Sequence, residues 1–510
     1  MERIGIIDIG SNSIRLVVYE ITSSGAYRVI DETKESARLS ARLDKDGRIA
    51  DDDLQYIADT LGRFQLLCEH HGASRIRTVA TAAIRNSPEG DGIVRALKDR
   101  TGLAIEVLSG EEEARLGFLG MINTIDIRDG ILVDIGGGST EVLLFRDRAI
   151  VRSVSFPFGA VNAIKRFGKN GDIDAAAAGA IVDMVEKAVR DEPWIAEHPG
   201  LPLVGLGGTA RSLCKLDQRY RNYSLPLTHY YQMTEQTVEG WVSRLVSVPF
   251  EQRKRIEGLS KERADIIVPG AIILHTLFRL CRASHYVISG SGLRDGIFFE
   301  AFRPDAPQFV NVLEHSVHNL LSLHPSVSLK HVLQVERLAM KLFSDLIDEH
   351  GFGGRVGTYL HVAALLYRIG ISINFYNFHK HTYYLMAHSR VNGLSHREIL
   401  LCALIASFKS EKRLKPLFSA HRDLLSDADF GLIVRLGSLL QIAVALDRSE
   451  TQPIATVSAS AIGRELVLTV KTRHTWDIEK RELETLAKDF RKLWGLSLLV
   501  REAPPAAPSS

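Results

Sequence analysis

Apolar and polar positions along the first 300 residues follow an order that predicts strands, tight polar turns and helices in repeated succession. Residues 4–21 read as two strands around a polar turn. Ile4-Gly5-Ile6-Ile7 leads into Asp8-Ile9-Gly10-Ser11-Asn12-Ser13, and Ile14-Arg15-Leu16-Val17-Val18-Tyr19 leaves it. The same order recurs as Ile131-Leu132-Val133, Asp134-Ile135-Gly136-Gly137-Gly138-Ser139 and Thr140-Glu141-Val142-Leu143-Leu144-Phe145. Counted from Asp8 and from Asp134, the Asp, Ile, Gly and Ser positions match, so two homologous α/β halves are expected. Between them the pattern predicts an amphipathic helix over 51–72 and strands over 76–81 and 105–108. A third glycine turn, Gly205-Leu206-Gly207-Gly208-Thr209-Ala210-Arg211, follows the apolar Pro202-Leu203-Val204 and opens a helix, an arrangement that aims backbone N–H groups at an anion.

The period changes after Arg303-Pro304-Asp305-Ala306-Pro307. Helical repeats over 331–348, 357–370 and 396–409 predict an all-helical region, and strand character returns at Leu466-Val467-Leu468-Thr469-Val470 and Leu496-Ser497-Leu498-Leu499-Val500 around a helix over 478–493. The expected domains are 1–124, 125–303, a helical 310–450, a small α+β 451–502, and a Pro/Ala/Ser tail over 503–510 that cannot bury itself.

Composition narrows the class. A chain of 510 residues exceeds one hydrophobic core, and 45% hydrophobic with 24% charged residues suits globular domains throughout. Its four cysteines, Cys68, Cys214, Cys281 and Cys402, are far apart, which suggests neither a disulfide framework nor a zinc cluster and fits a reducing compartment. The start lacks the features of a signal peptide, and no apolar run approaches the roughly 18 residues of a membrane span, so a soluble cytoplasmic protein is expected. With a net charge of +2, any polyanionic substrate must be held by local Lys and Arg clusters.

One Asp-x-Gly turn is an ordinary turn. Two facing copies and a third glycine turn would make a cleft walled by backbone N–H groups, with Asp8 and Asp134 at its floor. A hard divalent cation takes oxygen ligands and keeps several waters, so Asp134, with Glu141 nearby and Asp8 opposite, could hold magnesium together with substrate phosphate oxygens.

Asp8-Ile9-Gly10-Ser11-Asn12-Ser13 and Asp134-Ile135-Gly136-Gly137-Gly138-Ser139-Thr140-Glu141 resemble the two phosphate-binding signatures of the exopolyphosphatase / guanosine pentaphosphate phosphohydrolase family. Ala80-Thr81-Ala82-Ala83-Ile84-Arg85, Ser109-Gly110-Glu111-Glu112-Glu113-Ala114-Arg115 and Gly207-Gly208-Thr209 resemble further blocks of that family, in order, over residues 1 to about 300. The resemblance implies an α/β fold of two duplicated actin-like (ribonuclease H-like) halves, an all-helical HD-like domain and a small α+β C-terminal domain. It implies Glu113 as general base, although the residues alone do not choose among Glu111, Glu112 and Glu113, where a helix-capping role is the plain alternative. Arg85 would be the cation over the terminal phosphate, with a surface arginine as the alternative. Asn12, Ser13, Gly137, Gly138, Ser139, Gly208 and Thr209 would bind phosphate.

In the helical region Leu329-Lys330-His331 and Ala445-Leu446-Asp447 resemble the outer ligand blocks of His-Asp metal phosphohydrolases, but Tyr367-Arg368 stands where the adjacent His-Asp pair belongs. A second metal centre is therefore not expected, and the region reads as a binding and dimerisation platform. His379-Lys380-His381 reads as a solvated or structural pair on a loop. The expected activity is magnesium-dependent release of terminal phosphate from polyphosphate by a homodimer with no membrane or nucleic-acid partner. Guanosine pentaphosphate hydrolysis, phosphotransfer from polyphosphate to a nucleotide, and a non-catalytic clamp are the alternatives.

Overall fold

The computed structural model describes residues 1–44 and 46–503. The tail expected over 503–510 lies, from residue 504 onward, outside the described residues. By compactness the chain divides into two units, Met1–Val312 and Leu313–Ser510.

The first unit holds two sheets. One has the order β3-β2-β1-β4-β5, from β1 (Glu2–Ile9), β2 (Ile14–Ile21), β3 (Tyr27–Glu35), β4 (Arg75–Ala80) and β5 (Ile105–Val107). The other has the order β10-β11-β9-β6-β7-β8, from β6 (Gly130–Ile135), β7 (Thr140–Arg146), β8 (Ala149–Phe156), β9 (Leu203–Leu206), β10 (Tyr231–Met233) and β11 (Tyr286–Ile288). In the first, β1 pairs antiparallel with β2 and parallel with β4; in the second, β6 pairs antiparallel with β7 and parallel with β9. The duplication seen in the residues is thus a duplication of strand order, with β10 added at one edge. Asp8 pairs with Arg15 and Asp134 with Glu141, at equivalent register positions beside the two turns.

Both central strands are buried on two faces, as sheets covered by helices require. Helix Asp51–His70 starts on three aspartates, which suit the positive end of its dipole, and buries Leu54, Ile57, Leu61, Phe64 and Cys68 at helical spacing. It packs into a core with Ile7, Ile9, Leu16 and Val18. Helices Gly110–Ile122 and Leu293–Phe302 form a second core with Ile4, Ile6 and Val17, where Phe298 stacks on Tyr19 with ring centres 3.9 Å apart. Helix Ile267–Cys281 is buried almost all round and anchors the core of the second sheet.

In the second unit, helices Leu329–Asp345, Val356–Leu366, Phe378–His388, His396–Ala406 and Asp427–Ala445 precede a sheet of order β12-β13-β14, from β12 (Ile454–Ile462), β13 (Glu465–Thr472) and β14 (Ser497–Glu502). Strands β13 and β14 are parallel, joined through helix Asp477–Trp494. Two expectations change here. Helix Asp427–Ala445 is long and apolar enough to cross a bilayer, contrary to the reading that no such run exists, yet it packs among helices Leu329–Asp345, His396–Ala406 and Asp477–Trp494 as a core helix. His379-Lys380-His381 lies on helix Phe378–His388 and not on a loop; Asn377, at φ 60°, takes the left-handed conformation that begins the helix.

Candidate functional site

The two polar turns are built alike. Gly10 N donates to Ser13 O at 3.2 Å, and Gly136 N donates to Ser139 O at 3.0 Å, closing the same loop between paired strands. The loops face each other so closely that a side chain on Gly137 would meet Ser11 Cβ at 2.8 Å. At the third turn Gly207 has φ +77°, and a side chain there would also reach Asp134 Oδ1 at 2.5 Å. Gly208 is fixed by space, since a Cβ would collide with the Arg263 guanidinium.

A cavity of about 150 Å³ lies among these turns, lined by Asp8, Asn12, Ser13, Glu113, Asp134, Gly137, Ser139 and Gly208 of the predicted set. Four arginines that sequence reasoning passed over, Arg15, Arg211, Arg263 and Arg294, also line it, as does a fourth glycine turn, Gly290-Ser291-Gly292. That turn had a legible signal, a Ser-Gly-Ser-Gly run between strand β11 and helix Leu293–Phe302. Arg15 and Arg211 lie inside motifs already singled out, whereas Arg263 has no local signal.

Glu113 is selected by its neighbours. Ser109 and Glu112 form a reciprocal capping box, with Glu112 N donating to Ser109 Oγ at 3.1 Å and Ser109 N to Glu112 Oε2 at 2.9 Å. Glu111 is exposed, which leaves Glu113, one residue on, turned into the cavity. Arg85 Nη1 donates to Glu113 Oε2 at 2.7 Å and to the Leu108 carbonyl at 3.0 Å. Burial raises the Glu113 carboxyl to about 7 against the opposing pull of Arg85, with Asp134 and Asp8 raising it further.

Four predicted residues do not line this cavity: Arg85, Glu141, Gly138 and Thr209. Arg85 Nη2 also lies 3.8 Å from Glu141 Oε1, so its guanidinium is shared between two carboxylates. Glu141 is 1% exposed and accepts a 2.8 Å hydrogen bond from Ser155 Oγ. Its carboxyl is raised well above the usual range by burial first and by Glu113 and Asp134 next. A side chain on Gly138 would meet Ser11 Oγ, and Thr209 is fully buried with no hydrogen-bond partner for its hydroxyl.

Besides Glu113, and Asp295, which accepts from Gly292 N at 2.9 Å, the carboxylates of Asp8 and Asp134 line the cavity. Burial raises both, Asp134 to about 6, and no hydrogen-bond donor is seen on either carboxylate among the described residues. Arg211 pulls both down, and Arg15 and Arg294 pull Asp8 down as well. Two desolvated carboxylates lacking hydrogen-bond donors fit a hard divalent cation that completes its shell with water and phosphate oxygens. Among the described residues no cluster of three or more His, Cys, Asp or Glu is placed to hold a metal alone.

The arginines are crowded. Burial and mutual repulsion lower Arg15 and Arg263 to about 10, and Arg263 Nε is buried without a partner. Arg294 donates to Glu32 at 3.1 Å, and Arg211 to the Gly207 carbonyl at 3.0 Å. Four guanidinium groups thus converge on a small space next to glycine turns, a geometry suited to a condensed phosphate.

In the second unit His331 Nδ1 lies 2.7 Å from Asp447 Oδ2, and His331 Nε2 hydrogen-bonds the Tyr367 hydroxyl. All three are buried, and Arg368 turns to Glu450 at 2.6 Å. Asp447 and Tyr367 therefore occupy both ring nitrogens of His331.

The family model of the Ppx/GppA phosphatase family matches residues 17–303, and that of Ppx/GppA phosphatase domain III matches 312–489. A guanosine-5'-triphosphate,3'-diphosphate pyrophosphatase of Photobacterium profundum is 28% identical over 479 residues, spanning 91% of this chain and 90% of that protein. Among solved structures, an Aquifex aeolicus member of the Ppx/GppA family is 26% identical with a TM-score of 0.52, covering 60% of this chain and 99% of its own. An exopolyphosphatase from Cytophaga hutchinsonii, 21% identical with a TM-score of 0.56 over 60% of this chain and all of its own, shares the fold.

Proposed function

The chain belongs to the Ppx/GppA phosphatase family, whose members hydrolyse phosphoanhydride bonds, and on that premise we propose that it is an exopolyphosphatase releasing terminal phosphate from inorganic polyphosphate. The observation that carries the reading is Glu113, a half-buried carboxylate bonded by Arg85 at 2.7 Å and raised to about 7, lining a cavity of glycine turns and arginines. A base with a pKa near the working pH combines availability with a real affinity for the proton.

In the reaction, water attacks the terminal phosphorus while Glu113 takes its proton. The new P–O bond forms as the bridging P–O bond breaks, and the shortened chain leaves with the bond's electrons. Arg85 holds the Glu113 carboxylate in place. Arg15, Arg211, Arg263 and Arg294, with turn N–H groups and the Ser13 and Ser139 hydroxyls, bind the phosphate oxygens on which charge develops. Asp8 and Asp134 would hold magnesium, which when bound supplies positive charge to the phosphate oxygens. Four carboxylates and four guanidinium groups line the cavity, so it is close to neutral until such a cation adds charge. Glu141 acts through Arg85 and Asp134. Four free, buried cysteines support a reducing, cytoplasmic setting.

The Photobacterium relative favours guanosine pentaphosphate as a second substrate. Phosphate release from long polyphosphate and from guanosine pentaphosphate, measured side by side with magnesium and with or without ADP, tests the assignment. Faster release from polyphosphate supports it. Exclusive turnover of the guanosine compound, or ATP formed in place of phosphate, would replace it with one of the alternatives.

A further inference from the structure

The second unit contains a cavity of about 390 Å³ beside the His331–Tyr367 pair, within the range that holds a small organic ligand. Its walls divide by chemistry. Phe375, Phe378 and Phe408 contribute aromatic surface, and Arg368, Lys409 and Arg448 contribute cations. Lys409 and Arg448 are exposed and form no ion pair among the described residues, so they are available to an incoming anion.

The aromatic side is held by backbone constraints. Gly437 has no side chain where Phe408 packs on helix Asp427–Ala445, and a Cβ there would collide with the ring. Gly370 packs against the Phe378 carbonyl in the same way, and Thr382 Oγ1 ties the segment by accepting from Gly370 N at 3.1 Å and donating to Tyr367 O at 2.8 Å. Phe375, by contrast, is 62% exposed at the mouth, an arrangement that exposes a large apolar ring to water until something stacks on it. Between the two sides lies His379, stacked on Phe378, with its buried Nδ1 lacking any hydrogen-bond partner. Burial, then Lys409 and Arg413, lower this imidazole to about 4, so at neutral pH it is an uncharged hydrogen-bonding group. Glu482 adds one acceptor on the wall.

An inorganic phosphate chain would use the cations and leave three aromatic rings idle; an uncharged lipid or apolar peptide would use the rings and leave the cations unanswered. We propose that this cavity binds a nucleoside phosphate, with the base against the phenylalanines and His379 and the phosphates on Lys409 and Arg448, Arg368 being held by Glu450. Aromatic stacking and charge-assisted hydrogen bonds are then satisfied by one molecule. The site is separate from the phosphatase residues in sequence and in unit, and the proposal does not depend on the polyphosphate reading.

The test is calorimetric titration of the full chain in EDTA with α,β-methylene ADP and α,β-methylene GDP, which have no phosphoanhydride bond to cut, and with methylenediphosphonate as the base-free control. The nucleotides should bind at least about tenfold more tightly than the control, as expected for added aromatic contacts. Phe375→Ala and Arg448→Glu, both at exposed positions, should each weaken nucleotide binding by about tenfold, whereas Arg211→Gln in the other unit should leave this site unchanged. Photolabelling with 8-azido-ADP should mark peptides from residues 367–380 or 405–415. Equal affinity for the control, no binding at millimolar nucleotide, or binding and labelling that respond only to Arg211→Gln would each overturn the proposal.

Discussion

Arg85 bonds Glu113 at 2.7 Å while its other terminal nitrogen lies 3.8 Å from Glu141, so one guanidinium is shared between the candidate base and a carboxylate that does not reach the cavity. Removing proton acceptance at Glu113 should therefore separate chemistry from binding. Glu113→Gln keeps shape and a hydrogen-bonding group for Arg85, and kcat should fall by roughly 10²-fold or more with KM little changed. Near-normal kcat would remove Glu113 from the reaction.

The same pair predicts a pH effect. Glu113 must be ionised to accept a proton, so kcat/KM should rise with pH through the region near 7. Arg85 favours the ionised form, and Arg85→Gln should move this ascending limb to higher pH. A pH–rate profile that loses height without moving would show that Arg85 acts on substrate and not on the base.

Glu141 predicts a gain in stability at the expense of activity. Its carboxyl is raised in the folded state, so folding retains a proton that the unfolded chain releases above about 4.5, and stability is lost as pH rises from there. Glu141→Gln removes that loss while keeping an acceptor for Ser155. Its melting temperature should exceed that of the parent at pH 7.5, by roughly 2–4 °C for each kcal/mol relieved, and the gain should vanish below about pH 4.5. A lower melting temperature at pH 7.5 would mean that the Arg85 pairing outweighs burial.

Gly208 and Arg263 predict a defect in binding. A methyl group at Gly208 must displace the Arg263 guanidinium, whose Nε is already buried without a partner. Gly208→Ala should thus behave like Arg263→Gln, each raising KM for polyphosphate by about tenfold, and combining them should add little. Additive losses in the double variant would show that the glycine serves the turn itself.

How much of this was visible in the residues differs from site to site. The Asp8 and Asp134 turns were legible because a repeated local sequence makes a repeated local structure, down to the same backbone hydrogen bond. Glu113 was not separable from Glu111 and Glu112 by spacing, because the Ser109–Glu112 capping box that selects it depends on which side chain turns back on the helix start. Arg263 could not be found, since it reaches the cavity by tertiary packing with no motif around it. Glu141 was legible as a neighbour of Asp134, its cross-strand partner, but its full burial and its bond from Ser155 come from tertiary packing that spacing does not show.

The His331–Asp447–Tyr367 group predicts how the second unit responds to loss of a carboxylate. Asp447 is fully buried and accepts from Gln452 N at 2.7 Å as well as facing His331 at 2.7 Å. If Asp447 were a metal ligand, its removal would be felt in metal dependence. As part of a closed hydrogen-bond group it should be felt in stability, because Asp447→Ala leaves a buried imidazole and a backbone N–H unpaired, a loss of about 3 kcal/mol or more. Asp447→Asn keeps an oxygen for Gln452 N and sets an amide N–H opposite His331 Nδ1, which a neutral imidazole protonated on Nε2 accepts, and should lose distinctly less. Urea unfolding followed through a probe in residues 313–503 should show this ranking, while the magnesium concentration giving half-maximal phosphatase activity stays the same in both variants. A shifted magnesium requirement with unchanged unfolding would mean that Tyr367 gives way and a metal binds beside His331 after all.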